Sequence, residues 1–237
     1  MRYCCLGKYG PYPAANGSTS GHLISQDGQA LVLDMGCGTL GRLLSVLGED
    51  QVCGVVITHL HPDHYSDLLV YAQQLAKCRE TLLPLFMPKA PVRVSGLLAD
   101  TGVFDVTYTD ETAKAACGPF ALSFAPTVHP LPGYAVRVEG QKSVAYTGDS
   151  MPTAQLAYWA KGADVLLCDA PFTERTVPQT SPHMTAEQAA GLAQKAGVGA
   201  LWLSHITPGS DENALLHAAH KTFANSSIVE ELHRKML

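Results

Sequence analysis

The stretch richest in reactive side chains is Thr58-His59-Leu60-His61-Pro62-Asp63-His64. Three histidines and an aspartate fall between positions 59 and 64. Imidazole and carboxylate groups suit borderline divalent cations such as Zn²⁺, Mn²⁺ and Fe²⁺. The stretch directly follows the apolar run VCGVVI and precedes an amphipathic segment. Such ligands sit on a loop at the end of a buried strand, where a rigid sheet can hold them in place. A lone histidine would read as a solvated turn residue. Four potential ligands this close point to a metal instead.

The elements around this loop follow from periodicity and turn chemistry. RYCCLG at the start reads as a strand. HLISQ and ALVLDMG flank Asp27-Gly28, a hairpin signal. Leucines at 40, 43, 44 and 47 predict a helix stopped by Gly48. A strand over Val52–Thr58, a helix over His64–Arg79 and a strand over Leu82–Met87 follow, then a short helix from Pro91 to about Asp100. Four strand-like runs come next: VFDVTYT, FALSFAPTV, YAVRVEG and KSVAYTG. A helix is predicted over Met151–Ala160, and VLLCDAP reads as a buried strand. Thr185–Ala196 opens with a capping box, Thr185 followed three residues later by Gln188. ALWLSH is a further buried strand, Glu212–Phe223 a last helix and IVEEL an edge strand. Interleaved strands and helices around a central meander predict one mixed, layered α/β domain over 1–237.

Composition narrows the function. The 237 residues carry 16 Lys+Arg against 21 Asp+Glu, a net charge of −5. That disfavours an extended nucleic-acid partner, which calls for a basic face, and a polybasic membrane contact. No apolar run reaches the length of a membrane helix. MRYCCLGKYG lacks the apolar core of a signal peptide, which predicts a cytoplasmic location. Seven cysteines without a CxxC pair predict buried, reduced thiols.

HLHPDH resembles the HxHxDH motif of the metallo-β-lactamase superfamily. The resemblance continues in chain order through His129 in FAPTVHP, Asp149 in YTGDS and His205 in LWLSHITP. It implies a four-layer αββα sandwich with a dinuclear site at one edge. His59, His61 and His129 would hold one cation. Asp63, His64 and His205 would hold the second, and Asp149 would bridge both together with a hydroxide. The two ions would be zinc, with manganese or iron as alternatives. Asp149 stands where zinc β-lactamases carry cysteine. His61 stands where diiron flavoproteins carry glutamate.

The segment from Leu166 to Pro208 resembles the ribonuclease Z-like branch. That resemblance makes His183 a catalytic histidine outside the ligand set, oriented by Asp169, with Asp63 also in the catalytic group. It also implies a homodimer. The long arm that grips tRNA in that branch has no room between His129 and Asp149. The expected substrate is therefore a small or cyclic phosphodiester. Hydrolysis of a lactone, ester or thioester, or a ribonuclease activity without the arm, are the alternatives. Asp34, ending LVLDMG, resembles a carboxylate that orients a ligand histidine. The loop Asn16–Gly21 reads either as a cleft wall or as a flexible loop. Asp67 is expected to face water, His22 to cap a strand, and His217, His220 and His233 to lie on the surface. Trp159 and Trp202 are expected in the core.

Overall fold

Long runs such as ALVLDM and VLLCD lack polar alternation, as expected for strands covered on both faces. A computed structural model describes residues 1–47 and 51–237 and shows what covers them. One sheet contains β1 (Arg2–Gly7), β2 (Gly21–Gln26), β3 (Gln29–Met35), β4 (Val52–Val56), β5 (Leu83–Met87), β6 (Phe104–Tyr108) and β14 (Arg234–Met236). Its order is β14-β1-β2-β3-β4-β5-β6. The other contains β7 (Lys114–Cys117), β8 (Phe120–Pro126), β9 (Tyr134–Glu139), β10 (Ser143–Tyr146), β11 (Val165–Asp169), β12 (Ala200–Ser204) and β13 (Ser226–Ile228). Its order is β13-β12-β11-β10-β9-β8-β7.

The apolar side chains sort by layer. Leu31, Leu33, Phe86, Phe124, Val136, Leu167 and Trp202 share the cluster between the sheets. The alternate residues Val32, Val55 and Leu85 instead pack with Leu43 of α1 (Thr39–Val46), Leu68 and Leu75 of α2 (Pro62–Cys78) and Leu98 of α3 (Val92–Ala99). On the opposite side Leu166, Leu201 and Leu203 pack with α4 (Ala154–Trp159), α5 (Ala186–Ala196) and α6 (Glu212–His220). The result is the expected helix–sheet–sheet–helix sandwich. Each fully buried leucine contributes roughly 1.5–3 kcal/mol.

Local signals behave as their chemistry requires. Asp27 and Gly28 both take positive φ, 52° and 77°, so the hairpin pairs Gln26 with Gln29. Thr185 accepts from Gln188 N and Gln188 reaches back to Thr185, completing the capping box. Helix α4 starts later than the Met151 expected, because Pro152 disfavours a helical Met151 and Thr153 caps instead. The expected stop of α1 at Gly48 lies outside the described residues.

Several expectations need correcting. Strand β7 was not foreseen, because KAAC offers only small and charged side chains, poor strand formers. The tail splits: Ser226–Ile228 edges one sheet, Glu230 and Glu231 leave it, and Arg234–Met236 edges the other. Cys37 and Cys78 are exposed, not buried. His22 is fully buried in β2, where Nδ1 meets the Tyr3 hydroxyl at 2.9 Å. Asp67 is half-buried and accepts from Leu40 N at 2.9 Å, so α2 caps the start of α1. Trp202 lies in the inter-sheet core, and Trp159, the last residue of α4, is partly buried and packs against the core beneath the helices.

Candidate metal centre

All seven expected ligands leave the sandwich at one edge. Strands β3, β4, β10, β11 and β12 end there. So does β8, which runs antiparallel to β9 and β9 antiparallel to β10. The loop carrying His59 and His61 follows β4, and helix α2 begins at Pro62 with His61 as its N-cap, so Asp63 and His64 stand in its first turn. His129 and Asp149 each lie three residues past β8 and β10, and His205 directly follows β12. The two sheets join beside the cluster, where Tyr134 N donates to Thr58 O at 2.9 Å.

The donor atoms converge. Those of His59, His61, His129 and Asp149 lie within 4.8 Å of one another, as do those of Asp63, His64 and His205. Asp149 lies between the two sets. Its Oδ2 is 3.5 Å from His59 Nε2 and 3.3 Å from His205 Nε2, and its Oδ1 is 3.3 Å from His64 Nε2. Asp149 Oδ1 is buried yet accepts no hydrogen bond. His59 Nε2 and His61 Nδ1 stand 3.1 Å apart. Five imidazoles and two carboxylates, without sulfur and with a buried carboxylate oxygen at the centre that accepts no hydrogen bond, form a donor set fitted to borderline divalent cations.

Electrostatics agree with that fit. Burial would push the Asp149 carboxyl up, but His205, His64 and His59 outweigh it and hold its pKa well below the usual range. Burial pushes His59 well below its ordinary value and His129 down to about 4. Neutral imidazoles are the form that ligates. His64 and His205 also lose solvation, yet the surrounding carboxylates dominate. His64 is held well above its ordinary value and His205 is raised to about 9.

Asp34 anchors the floor. It is fully buried and adopts φ 58°, a left-handed conformation rare for a residue with a side chain. Its carboxylate accepts from Thr58 N at 2.7 Å, Thr58 Oγ1 at 2.9 Å and Tyr146 OH at 2.7 Å, and meets His64 Nδ1 at 2.8 Å. The last contact leaves His64 Nε2 facing Asp63 and Asp149. The segment Asn16–Gly21 is packed against the cluster rather than free in solvent. Ser18, Thr19 and Ser20 are buried, and Ser20 Oγ lies 3.5 Å from His64 Nε2. Glu231, from the tail, accepts from Ser18 N and pairs with Arg42. Sequence reasoning missed Glu231, Tyr146 and Gly10. A Cβ on Gly10 would stand 2.1 Å from His205 Nε2, so the first loop packs directly on that ring.

Asp169 and His183 lie beside the cluster. His183 Nδ1 is 2.9 Å from Asp169 Oδ2 and 3.8 Å from Asp149 Oδ2. The His183 ring stacks on that of His205, with centroids 5.0 Å apart. Burial opposes protonation of His183, but Asp169 prevails and raises its pKa. His183 also remains partly open, at 18% side-chain exposure, whereas Asp169 is enclosed. An imidazole held in this way can give or take a proton at its other nitrogen. The donor atoms of Asp149, Asp169, His183 and His205 also lie within 4.8 Å of one another.

Comparisons with known proteins follow this geometry. The beta-lactamase superfamily domain profile matches residues 31–206. The probable metallo-hydrolase YhfI of Bacillus subtilis (strain 168) is 31% identical over 213 residues, covering 87% of each chain. A YhfI crystal structure superposes with a TM-score of 0.93 at 26% identity, over 99% of this chain and 98% of that one. A ribonuclease Z of Mycolicibacterium gilvum is 28% identical over 97% of this chain and 93% of its own. A diphosphatase from the PhnP family shares the fold, with a TM-score of 0.76 at 17% identity over 99% and 97% of the two chains.

Proposed function

The chain belongs to the beta-lactamase superfamily as a metallo-hydrolase, and on that premise we propose that it cleaves small phosphodiesters. The observation that carries the proposal is the 2.9 Å contact between His183 and Asp169 beside the metal cluster. Expulsion of an alkoxide from phosphorus is eased by a proton donor poised at the leaving oxygen. With Nδ1 turned to Asp169, His183 offers Nε2 for that proton. Asp169 raises the His183 pKa against the effect of burial, which favours the protonated, donating form of the ring.

In this reading His59, His61 and His129 would hold one divalent ion, Asp63, His64 and His205 would hold the other, and Asp149 would serve both sets. Zinc is the ion this donor set suits best, with manganese and iron also compatible. When bound, such ions supply Lewis acidity towards phosphoryl oxygens and bring the ionisation of water towards neutrality. The chain's own groups do the rest. Asp63 meets His205 Nε2 at 3.2 Å and fixes the second set. Asp34 orients His64. Asp169 holds His183 in place and fixes its tautomer.

Substrate size follows from the space around the cluster. Between His129 and Asp149 lie only a short loop, β9, the turn Gly140–Lys142 and β10. Nothing there can grip a folded RNA, and the net charge of −5 opposes one. The ribonuclease Z and diphosphatase relatives support chemistry at phosphorus. The small size of this segment supports a compact substrate. The test sets bis(p-nitrophenyl) phosphate and cyclic nucleotides against lactones and thioesters, using zinc- or manganese-loaded protein. Turnover on the phosphodiesters is expected. Turnover confined to the carbonyl substrates would move the activity to carbon.

A further inference from the structure

Cys53 and Cys117 form a thiol pair away from the metal edge. Cys53 lies near the start of β4, whose far end leads to the ligand loop. Cys117 ends β7, the edge strand of the other sheet. The two sulfurs are 3.6 Å apart, although 64 positions separate the residues in sequence. Cys53 Sγ–H also donates to Ala30 O at 3.1 Å.

The surroundings are built around this pair. Each cysteine is followed by glycine, and each glycine leaves room for the other cysteine. A Cβ on Gly54 would stand 2.5 Å from Cys117 Sγ, and one on Gly118 would stand 3.1 Å from Cys53 Sγ. Gly118 also takes φ 55°, which favours glycine on its own account. Cys117 is buried at 3% exposure and Cys53 is half-buried. Cys53 is thus the less buried of the two, and Cys117 stands behind it. The Cys117 thiol, donating to Cys53, pulls the Cys53 pKa down, which favours the nucleophilic thiolate.

We propose that Cys53 and Cys117 are a site of oxidative modification that hydrogen peroxide closes into an inter-sheet disulfide. The Cys53 thiolate attacks one peroxide oxygen. The O–O bond breaks, and the departing hydroxide takes a proton to become water. The Cys117 sulfur then attacks the Cys53 sulfenic acid, the S–O bond breaks, and the second hydroxide leaves with the Cys117 proton. Two thiols are oxidised, one peroxide is reduced, and two waters form. The sulfurs close the remaining gap by side-chain rotation and small strand shifts, since a disulfide needs about 2.05 Å.

The test treats metal-loaded protein with hydrogen peroxide, quenches with iodoacetamide and maps tryptic peptides without reductant. The expected result is one linked peptide pair containing Cys53 and Cys117, an intact mass lighter by two hydrogens, and reversal by dithiothreitol. The cross-link spans 64 positions, so Tm should rise by roughly 5–10 °C. Cys53→Ser and Cys117→Ala should each abolish both the link and the shift. Cys37→Ser, at an exposed thiol, should abolish neither. Alkylation of both Cys53 and Cys117 after peroxide treatment, or a link through any other cysteine, would overturn the proposal.

Discussion

Asp34 shows how much one buried carboxylate can organise. Its contacts come from Thr58, His64 and Tyr146, separated from it by 24, 30 and 112 positions. The sequence offers Asp34 as a turn aspartate ahead of Gly36 or, by resemblance, as a carboxylate that orients a ligand histidine, but it names none of its donors. Its donors become neighbours only when β3, β4 and β10 converge. Asp34→Ala frees His64 Nδ1 and strands the Tyr146 hydroxyl. Metal affinity, measured by competition with a chromophoric chelator, should fall about 10–100-fold. Tyr146→Phe removes one donor of the group. It should cost about 1 kcal/mol in denaturant unfolding and leave the metal content intact. Gly10 acts by size alone. Its N–H donates to Ile206 O at 3.1 Å and Ile206 N to Lys8 O at 2.7 Å, so the backbone is clamped against His205. In Gly10→Ala the ring must move, and metal analysis should show loss of the ion held by Asp63, His64 and His205. Full retention of both ions would contradict the packing described.

Elements were legible where their signals are local. The Asp27-Gly28 turn, the capping box at Thr185 and the ligand loop after β4 each lie within a few residues of sequence. Elements fixed by distant partners were not. Strand β7 owes its place to pairing with β8, not to its own residues. His22 reads as a strand-capping histidine until Tyr3 on the neighbouring strand supplies its partner. Asp67 caps a helix by accepting from Leu40 N, 27 positions earlier. The β10–β11 junction has a pH signature. Lys142 Nζ donates to Asp164 at 2.8 Å and Ser143 N donates at 2.8 Å, holding the Asp164 carboxyl below its ordinary range. A carboxyl lowered in the folded state adds stability above its unfolded pKa and loses it as pH falls through the folded value. Asp164→Asn should therefore lower Tm slightly near neutrality and flatten its decline below about pH 4. Exposure of the pair keeps the effect well under about 1 kcal/mol.

At the scale of the molecule, the three apolar layers are conventional and the ligand edge is not. Asp34, Asp63, Asp149 and Asp169 are all buried along one edge between the sheets. Packed apolar layers on either side hold them together, and bound cations would offset their mutual repulsion. Removing metal with a strong chelator should lower Tm by several degrees, since a ligand bound only by the folded state stabilises it in proportion to RT ln(1 + [L]/Kd). Restoring zinc or manganese should recover the loss, and calorimetry with and without chelator measures it. An unchanged Tm would mean that the edge is stable on its hydrogen bonds alone. The fold itself was readable because the ligand motifs occur in order along the chain, each ending an apolar run. The Cys53–Cys117 contact was not, because nothing in either Cys-Gly pair names its partner.

The most direct measurement compares wild type with His183→Ala in one preparation series, recording metal content and turnover of bis(p-nitrophenyl) phosphate together. His183 is assigned as a proton donor oriented by Asp169 and not as a ligand. The variant should therefore keep both ions while kcat falls by about 10²–10⁴-fold. Loss of an ion would make His183 a ligand, and unchanged turnover would remove it from the reaction. Either result would contradict the phosphodiesterase reading built on the His183–Asp169 pair.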